Sequence, residues 1–365
     1  MYMSQQTVTS PSSLQSSSLN SQVLRGIAIL SIILHNYTHW MHGALFENEF
    51  MFQSEHVSKL LNYLSHPDGN LLLQLFSFFG HYGVVLFIFL SAYGLEKKYG
   101  RSTQEVRPGP FIWTHYLKLL SMCIVGYIAY LLLNTLYVDY PSTAIFGIVS
   151  QLSMLNNLNL CPFDTYAPTP YWYFGLMFEL YIVYRLLLFR RSWGAIVGAI
   201  LICSIPQGFL TPDGATIEWL RNNFVGNILP FGLGLLYARY EEKIQLRKMT
   251  YTFVVLTSII LIFVTSLSFI PWLFTPIFVC TLGIACIQLL PKSMNKPLAW
   301  VGGISAAIFV SHPIVRQLSL SLANKLHISP YLSVLIFLGS ALLIGAIFQP
   351  ILNRSTKLFM KLAKH

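Results

Sequence analysis

Ten apolar stretches divide this chain, and they limit its folding more than any other feature. They run over 24–41, 71–95, 115–137, 171–189, 194–209, 224–239, 251–270, 272–290, 298–318 and 331–353. A helix that crosses a bilayer needs ~20 mostly apolar residues, because the hydrocarbon offers no water to pair with the backbone. Composition agrees: 55% of the 365 residues are hydrophobic and only 10% are charged, against roughly 25% charged in a soluble domain. So little polar surface would not keep the chain in water. The expected fold is an all-α integral membrane bundle of about ten transmembrane helices. The stretch 143–158 is apolar but short, and it is placed at the interface. If it spanned, the orientation of everything after it would invert.

Charge fixes the expected orientation, because Lys and Arg in short flanking loops stay on the cytoplasmic side. With the N-terminus inside, 17 of the 23 basic residues fall in inner loops and ends: Arg25; Lys97, Lys98, Arg101 and Arg107; Arg190 and Arg191; Arg239, Lys243, Arg247 and Lys248; Lys292 and Lys296; Arg354, Lys357, Lys361 and Lys364. Only Lys59, Arg221 and Lys325 fall outside. Both termini are therefore expected in the cytoplasm. The formal net charge of +10 reads as this topology signal and not as a nucleic-acid surface. Residues 1–21, rich in Ser, Gln and Thr, are expected to form a disordered tail without a signal peptide. A membrane domain over 22–356 and a basic cytoplasmic tail over 357–365 follow. Four cysteines (Cys123, Cys203, Cys280, Cys286) lie in apolar runs, and Cys161 sits in an expected external loop. No spacing suggests a metal site.

Polar side chains inside such helices are rare and usually face a cavity or a partner. His35 lies ten residues beyond Arg25 in LRGIAILSIILHNYTHWMH, or ~15 Å along the axis, near the expected midplane. Histidine is the side chain best suited to exchange protons near neutral pH. His39 and His42 continue the same face outward. Glu179, in YWYFGLMFELYIVYR, is an intramembrane carboxylate, either structurally paired with Arg185, His35 or another helix, or functional. The second helix carries His81, Ser91 and Tyr93, and the third opens with His115 and Lys118. His312 and Arg316 stand one turn apart in ISAAIFVSHPIVRQ. Pro313 frees a backbone carbonyl there, so His312 either satisfies that carbonyl or has a catalytic role. A seam of imidazoles, one carboxylate and guanidinium groups suits either transport or group transfer.

Several of these segments resemble the acyltransferase-3 family of bacterial membrane acyltransferases, which O-acylate cell-surface glycans and related molecules. The likeness rests on LRGIAILSIILHNY, on HYGVVLFIFLSAYGL, on YWYFGLMFELY and on ISAAIFVSHPIV, in that order along about 22–353. There are departures. The family's histidine usually falls one residue later, where this chain has Asn36. Ala92 stands where glycine is common, and His115 and Lys118 replace a pair of arginines, losing the bidentate fork that grips phosphate.

The resemblance implies an acyl-CoA donor, usually acetyl-CoA, reached from the cytoplasm, with no metal. It implies a glycan or lipid-linked acceptor hydroxyl and a bacterial cytoplasmic membrane. A hydroxyl needs a base to take its proton during attack, and His35 is the candidate, with Glu179 orienting it or binding acceptor hydroxyls. Arg25, His115 and Lys118 are candidates for donor phosphates. His312, Ser91 and Tyr93 are candidates for substrate contacts, with direct transfer and an acyl-serine both open at Ser91. The rival is a transporter or glycan-lipid flippase built on the same seam.

Overall fold

The computed structural model describes residues 20–103, 105–135, 144–158, 167–244 and 246–362. Among the described residues sixteen α-helices follow one another: α1 (Ser21–Thr38), α2 (Ser54–Ser65), α3 (Leu71–Phe79), α4 (Gly83–Leu95), α5 (Pro108–Asn134), α6 (Ala144–Leu152), α7 (Trp172–Val183) and α8 (Trp193–Ser204), then α9 (Ala215–Asn222), α10 (Phe224–Tyr240), α11 (Lys248–Thr265), α12 (Phe269–Trp272), α13 (Thr275–Leu289), α14 (Lys292–Gly303), α15 (Ser305–Lys325) and α16 (Pro330–Leu362). No strand occurs among the described residues. Helices are what lipid demands, since each satisfies its own backbone. All ten apolar stretches carry one. Five helical segments are long and apolar enough to cross a membrane: Leu71–Gly100, Pro108–Asn134, Lys248–Thr265, Ser305–Lys325 and Pro330–Leu362. Large apolar side chains such as Ile202, Phe253 and Leu343 remain exposed on the outside of the bundle, where lipid rather than water would cover them.

Three stretches differ from their expected outlines. The stretch 298–318 is two helices, α14 and α15, broken at Ile304. Gly302 and Gly303 precede the break and favour it, since glycine is a poor helix interior. Gly302 also lets α14 lie directly on α1: a Cβ there would meet the Gln22 oxygen at 1.9 Å, and one on Gly26 would meet the Leu298 oxygen at 2.1 Å. The second stretch is interrupted by a 3₁₀ turn, Gly80–Tyr82, between α3 and α4. The last helix continues to Leu362, through most of the stretch expected to form a tail. The expected disordered tail lies outside the described residues except for Asn20 and Ser21. Asn20 caps α1, its Oδ1 accepting from the Val23 N–H at 3.3 Å. Cys161 also lies outside the described residues. Helix α6 has nine residues, ~13 Å, less than half the ~30 Å of a bilayer core.

The core lies where α4, α5, α7, α10 and α15 pack together around Ile88, Tyr127, Phe174, Leu180, Phe231 and Val310. At the basic end of the bundle, ion pairs tie α4 to α10. Arg239 Nε donates to Glu96 Oε1 at 2.8 Å, Lys97 pairs with Glu241, and Arg101 pairs with Glu242 at 2.7 Å. These bonds fix the ends of the helices that carry the polar side chains described next.

Candidate functional site

His35 is buried at the junction of α1 and the turn after α3. Its Nδ1 lies 2.8 Å from the backbone oxygen of Ser77. A carbonyl only accepts, so the proton sits on Nδ1 and Nε2 carries the lone pair. The ring stands 4.9 Å from that of His39 and 5.6 Å from that of His81. Gly80 makes this packing possible, since a Cβ there would meet the His35 Cβ at 2.7 Å. His81 donates from Nδ1 to the Phe78 oxygen at 2.8 Å, and its buried Nε2 has no partner.

The three imidazoles line a cavity of about 220 Å³, together with Asn36, Trp40, Asn48, Glu49 and Trp172, among others. His42 lies outside it, exposed beside α3. Glu49 and Asn48 come from the segment between α1 and α2, which is held at several points. Asn48 Oδ1 accepts from the Phe50 and Met51 N–H groups at 2.9 and 3.2 Å. Arg221 Nε donates to the Glu49 backbone oxygen at 2.6 Å, and the Phe52 N–H to the Pro212 oxygen at 2.9 Å. Burial pushes the Glu49 carboxyl up to about 7 and raises that of Glu47 as well.

A second cavity, of about 250 Å³, opens on the other side, lined by Arg25, Ser91, Lys118, Met177 and Tyr181 among others. Lys98 and Arg25 both lie within electrostatic reach of Lys118, and Lys98 also of His115. This gathers basic groups at that end. Ser91 Oγ donates to the Phe87 oxygen at 2.8 Å. Four side chains line both cavities: Ile32 of α1, Val84 of α4, Tyr173 of α7 and Phe309 of α15. They form an apolar septum between a chamber that holds a base and one that holds cations. A larger groove between α1, α3, α4, α11 and α13 is almost wholly apolar and holds no charged side chain among its described lining.

Not every candidate reaches these chambers. Glu179 lines neither. Its Oε2 accepts from the Phe224 N–H at 2.8 Å, capping α10, and its Oε1 accepts from Asn157 Nδ2 at 2.8 Å. A carboxylate at a helix N-terminus is favoured by the helix dipole. Of the three partners considered for Glu179, another helix is the one found, while Arg185 donates to the Val106 oxygen. Tyr93 donates to Glu241 Oε2 at 2.8 Å within the ion-pair cluster. His115 donates to the Phe111 oxygen at 2.8 Å and sits among Tyr99, Phe111 and Tyr181. His312 is fully buried, with Nδ1 2.8 Å from the Phe309 oxygen, the carbonyl that Pro313 frees. Its Nε2 has no partner. The sequence does not single out Asn48, Glu49, or Ile32, Val84 and Phe309 of the septum; Trp172 and Tyr173 read there as aromatic residues that could stack on a sugar ring or, as the better reading, form an interfacial belt. The only sequence signal for Glu49 was an acid set between aromatic residues, FENEF.

An all-helical bundle with membrane-length apolar helices, enclosing a histidine chamber and a basic chamber back to back, has the build of an integral membrane protein. The profile described as an acyltransferase domain matches residues 19–349, and the chain belongs to that acyltransferase family. No curated protein and no solved structure matches it.

Proposed function

We propose that this acyltransferase moves an acyl group, acetyl in the first instance, from acyl-CoA on the cytoplasmic side to a hydroxyl of a glycan or lipid-linked acceptor on the outer side. The observation that carries the reading is the shared septum. Ile32, Val84, Tyr173 and Phe309 separate the chamber of His35 from the chamber of Arg25 and Lys118. The basic loops support a ten-span topology with both ends inside, and the family resemblance supports a bacterial cytoplasmic membrane. That topology puts the cationic chamber at the cytoplasm. Arg25 and Lys118, with Lys98 and His115 beside them, would attract the donor's phosphates, and the thioester would reach toward the septum past Ser91.

The chemistry is direct transfer. The acceptor O–H gives its proton to Nε2 of His35 as its oxygen attacks the thioester carbonyl carbon. The C–S bond breaks, an ester forms, and the departing thiolate takes the proton back from Nε2, which restores the neutral imidazole. Ser77 holds the tautomer that leaves Nε2 free, and a base so placed typically contributes 10²–10⁴-fold. The roles of His312 and Tyr93 are indirect in this scheme: His312 shapes Phe309 through its carbonyl, and Tyr93 braces the basic end. Glu179 would act by fixing α10, not by touching His35.

The test is turnover of radiolabelled acetyl-CoA by the full chain in nanodiscs with crude envelope glycans, wild type against His35→Ala. Loss of transfer in a folded variant supports both the enzyme and the base. Equal turnover in both removes His35 from the scheme. No turnover in either, with CoA or glycan lipid crossing the bilayer instead, would favour transport through the same seam.

A further inference from the structure

Around the histidines, the outer cavity combines aromatic faces with one carboxylate and lacks a cation. Trp172 and Phe50 line it with ring centroids 4.9 Å apart, edge to face. Trp172 is only partly exposed, which sets it apart from an interfacial belt residue lying free against lipid. Glu49 is the one carboxylate among the lining residues, and no Lys or Arg is among them. Two guanidinium groups come close without being part of the lining, and the buried Nη1 of one, Arg316, has no hydrogen-bond partner among the described residues. Arg221 bonds the Glu49 backbone oxygen and lies 4.2 Å from the Trp272 ring centroid. Arg316 lies 5.0 Å from the Trp40 ring centroid. The stretches 136–143 and 159–166 contain no Lys or Arg either. Glu47, the neighbouring acid, is engaged by His56 at 3.8 Å and by the Asn48 N–H at 3.0 Å. Among the described residues no other side chain hydrogen-bonds the Glu49 carboxylate.

We infer that Glu49 and Trp172 select the acceptor: the outer cavity takes an uncharged or amino-bearing sugar ring, stacked on Trp172 with hydroxyls donating to Glu49, and turns away acidic sugars. The role of this ring as acceptor rests on the acyltransferase reading, but its recognition does not. An aromatic face covers the apolar C–H side of a pyranose, and a carboxylate accepts from two adjacent hydroxyls, a charge-assisted arrangement. A uronate in the same place would bring a second negative charge beside Glu49 into a partly desolvated site whose described lining holds no Lys or Arg to pair with it. Such juxtaposition is how sites reject the wrong partner.

The test is saturation-transfer NMR on the full chain in neutral phosphatidylcholine nanodiscs at pH 8, where Glu49 is mostly ionised, without any acyl donor. The ligands are methyl gluco-, galacto- and mannopyranosides, each with its matching uronate. Arg221 and Glu47, which act on the Glu49 charge most directly, and the cavity histidines His35, His39 and His81 are unchanged in the variants. At least one neutral glycoside is expected to bind roughly tenfold better than its uronate. Glu49→Gln should bring that ratio close to one, and Trp172→Ala should abolish both signals. Glu55→Gln, on an exposed acid paired with Lys59, should leave the ratio unchanged. Equal binding of sugar and uronate in the wild type, a ratio unmoved by Glu49→Gln, or no sugar signal at all would overturn the inference. Because no donor is present, an enzyme that fails to transfer yet discriminates as expected would sink the catalytic reading alone.

Discussion

Tyr173 and Phe309 stand with ring centroids 5.3 Å apart, on α7 and α15, and both side chains line both chambers. Whatever passes between the basic chamber and His35 must displace or slip past them. Phe309→Ala removes one half of that pair. It should raise acceptor-independent thioester hydrolysis several-fold while lowering the yield of acyl ester per CoA released, since water then reaches the donor. Free thiol counted against labelled product measures the partition, and an unchanged partition would show that the septum does not separate donor from water.

Gly80→Ala tests the placement of His35 without touching its chemistry. The added methyl would sit 2.7 Å from the His35 Cβ and 2.9 Å from the Ser31 oxygen, so α1 must move. A displacement near 1 Å at a catalytic base costs on the order of 10²-fold. The variant should insert and bind donor normally, with kcat reduced by about that factor. Wild-type kcat would mean that the junction gives without moving the ring.

Glu179→Gln should weaken the fold and spare the chemistry. Both carboxylate oxygens accept hydrogen bonds, and an amide nitrogen in place of one oxygen would face a donor. The expected loss is about 1–3 kcal/mol, seen as a lower melting temperature in detergent, with activity per folded molecule within a factor of two. A large fall in kcat at unchanged stability would return Glu179 to the reaction.

Lys98→Ala and Lys118→Ala should each raise KM for acetyl-CoA about tenfold with kcat little changed, the signature of lost binding that does not grow in the transition state. Added salt should narrow the gap, because the attraction is screened. If KM stays constant in both variants, the donor phosphates lie elsewhere.

Glu49 sets a pH dependence whose sign follows from its burial. Its carboxyl sits at about 7 in place of the usual 4.5, so the folded state holds its proton more tightly than the unfolded chain. Stability must then fall as pH rises through that window and level off above it, by on the order of 3 kcal/mol in all. Glu47, raised by burial too, adds a slope of the same sign that persists in a Glu49 variant. Melting temperatures at pH 4.5, 6 and 8 should therefore decline less steeply in Glu49→Gln than in the wild type. Parallel curves would show that Glu49 is as solvated as an ordinary carboxylate.

Much of this protein was legible in its sequence. Helices occupy all ten apolar stretches, because hydrophobic length is a local property that lipid reads directly. Pro313 beside His312 predicted a carbonyl in need of a donor, and His312 provides it. The breaks were less legible: α14 ends where Gly302 lies against the backbone of α1, and that neighbour lies far away in the chain. Among the site residues, His35, Arg25, Lys118 and Ser91 line the chambers. Glu179 and Tyr93 looked alike in kind, as polar groups within apolar helices, yet they serve a helix cap and an ion-pair cluster.

The sequence by itself determined that the chain is helical and membrane-sized, which family it belongs to, and that its first helix carries a histidine. These follow from hydropathy, charge and the order of short motifs, all written along one dimension. Only the tertiary structure decided that Ser77 fixes the tautomer of His35, that Glu49 joins its cavity, and that four side chains from four helices divide one chamber from the other. Those relations pair residues up to 277 positions apart, Ile32 with Phe309, and a contact between two helices depends on how both are rotated. No local pattern in either one records that.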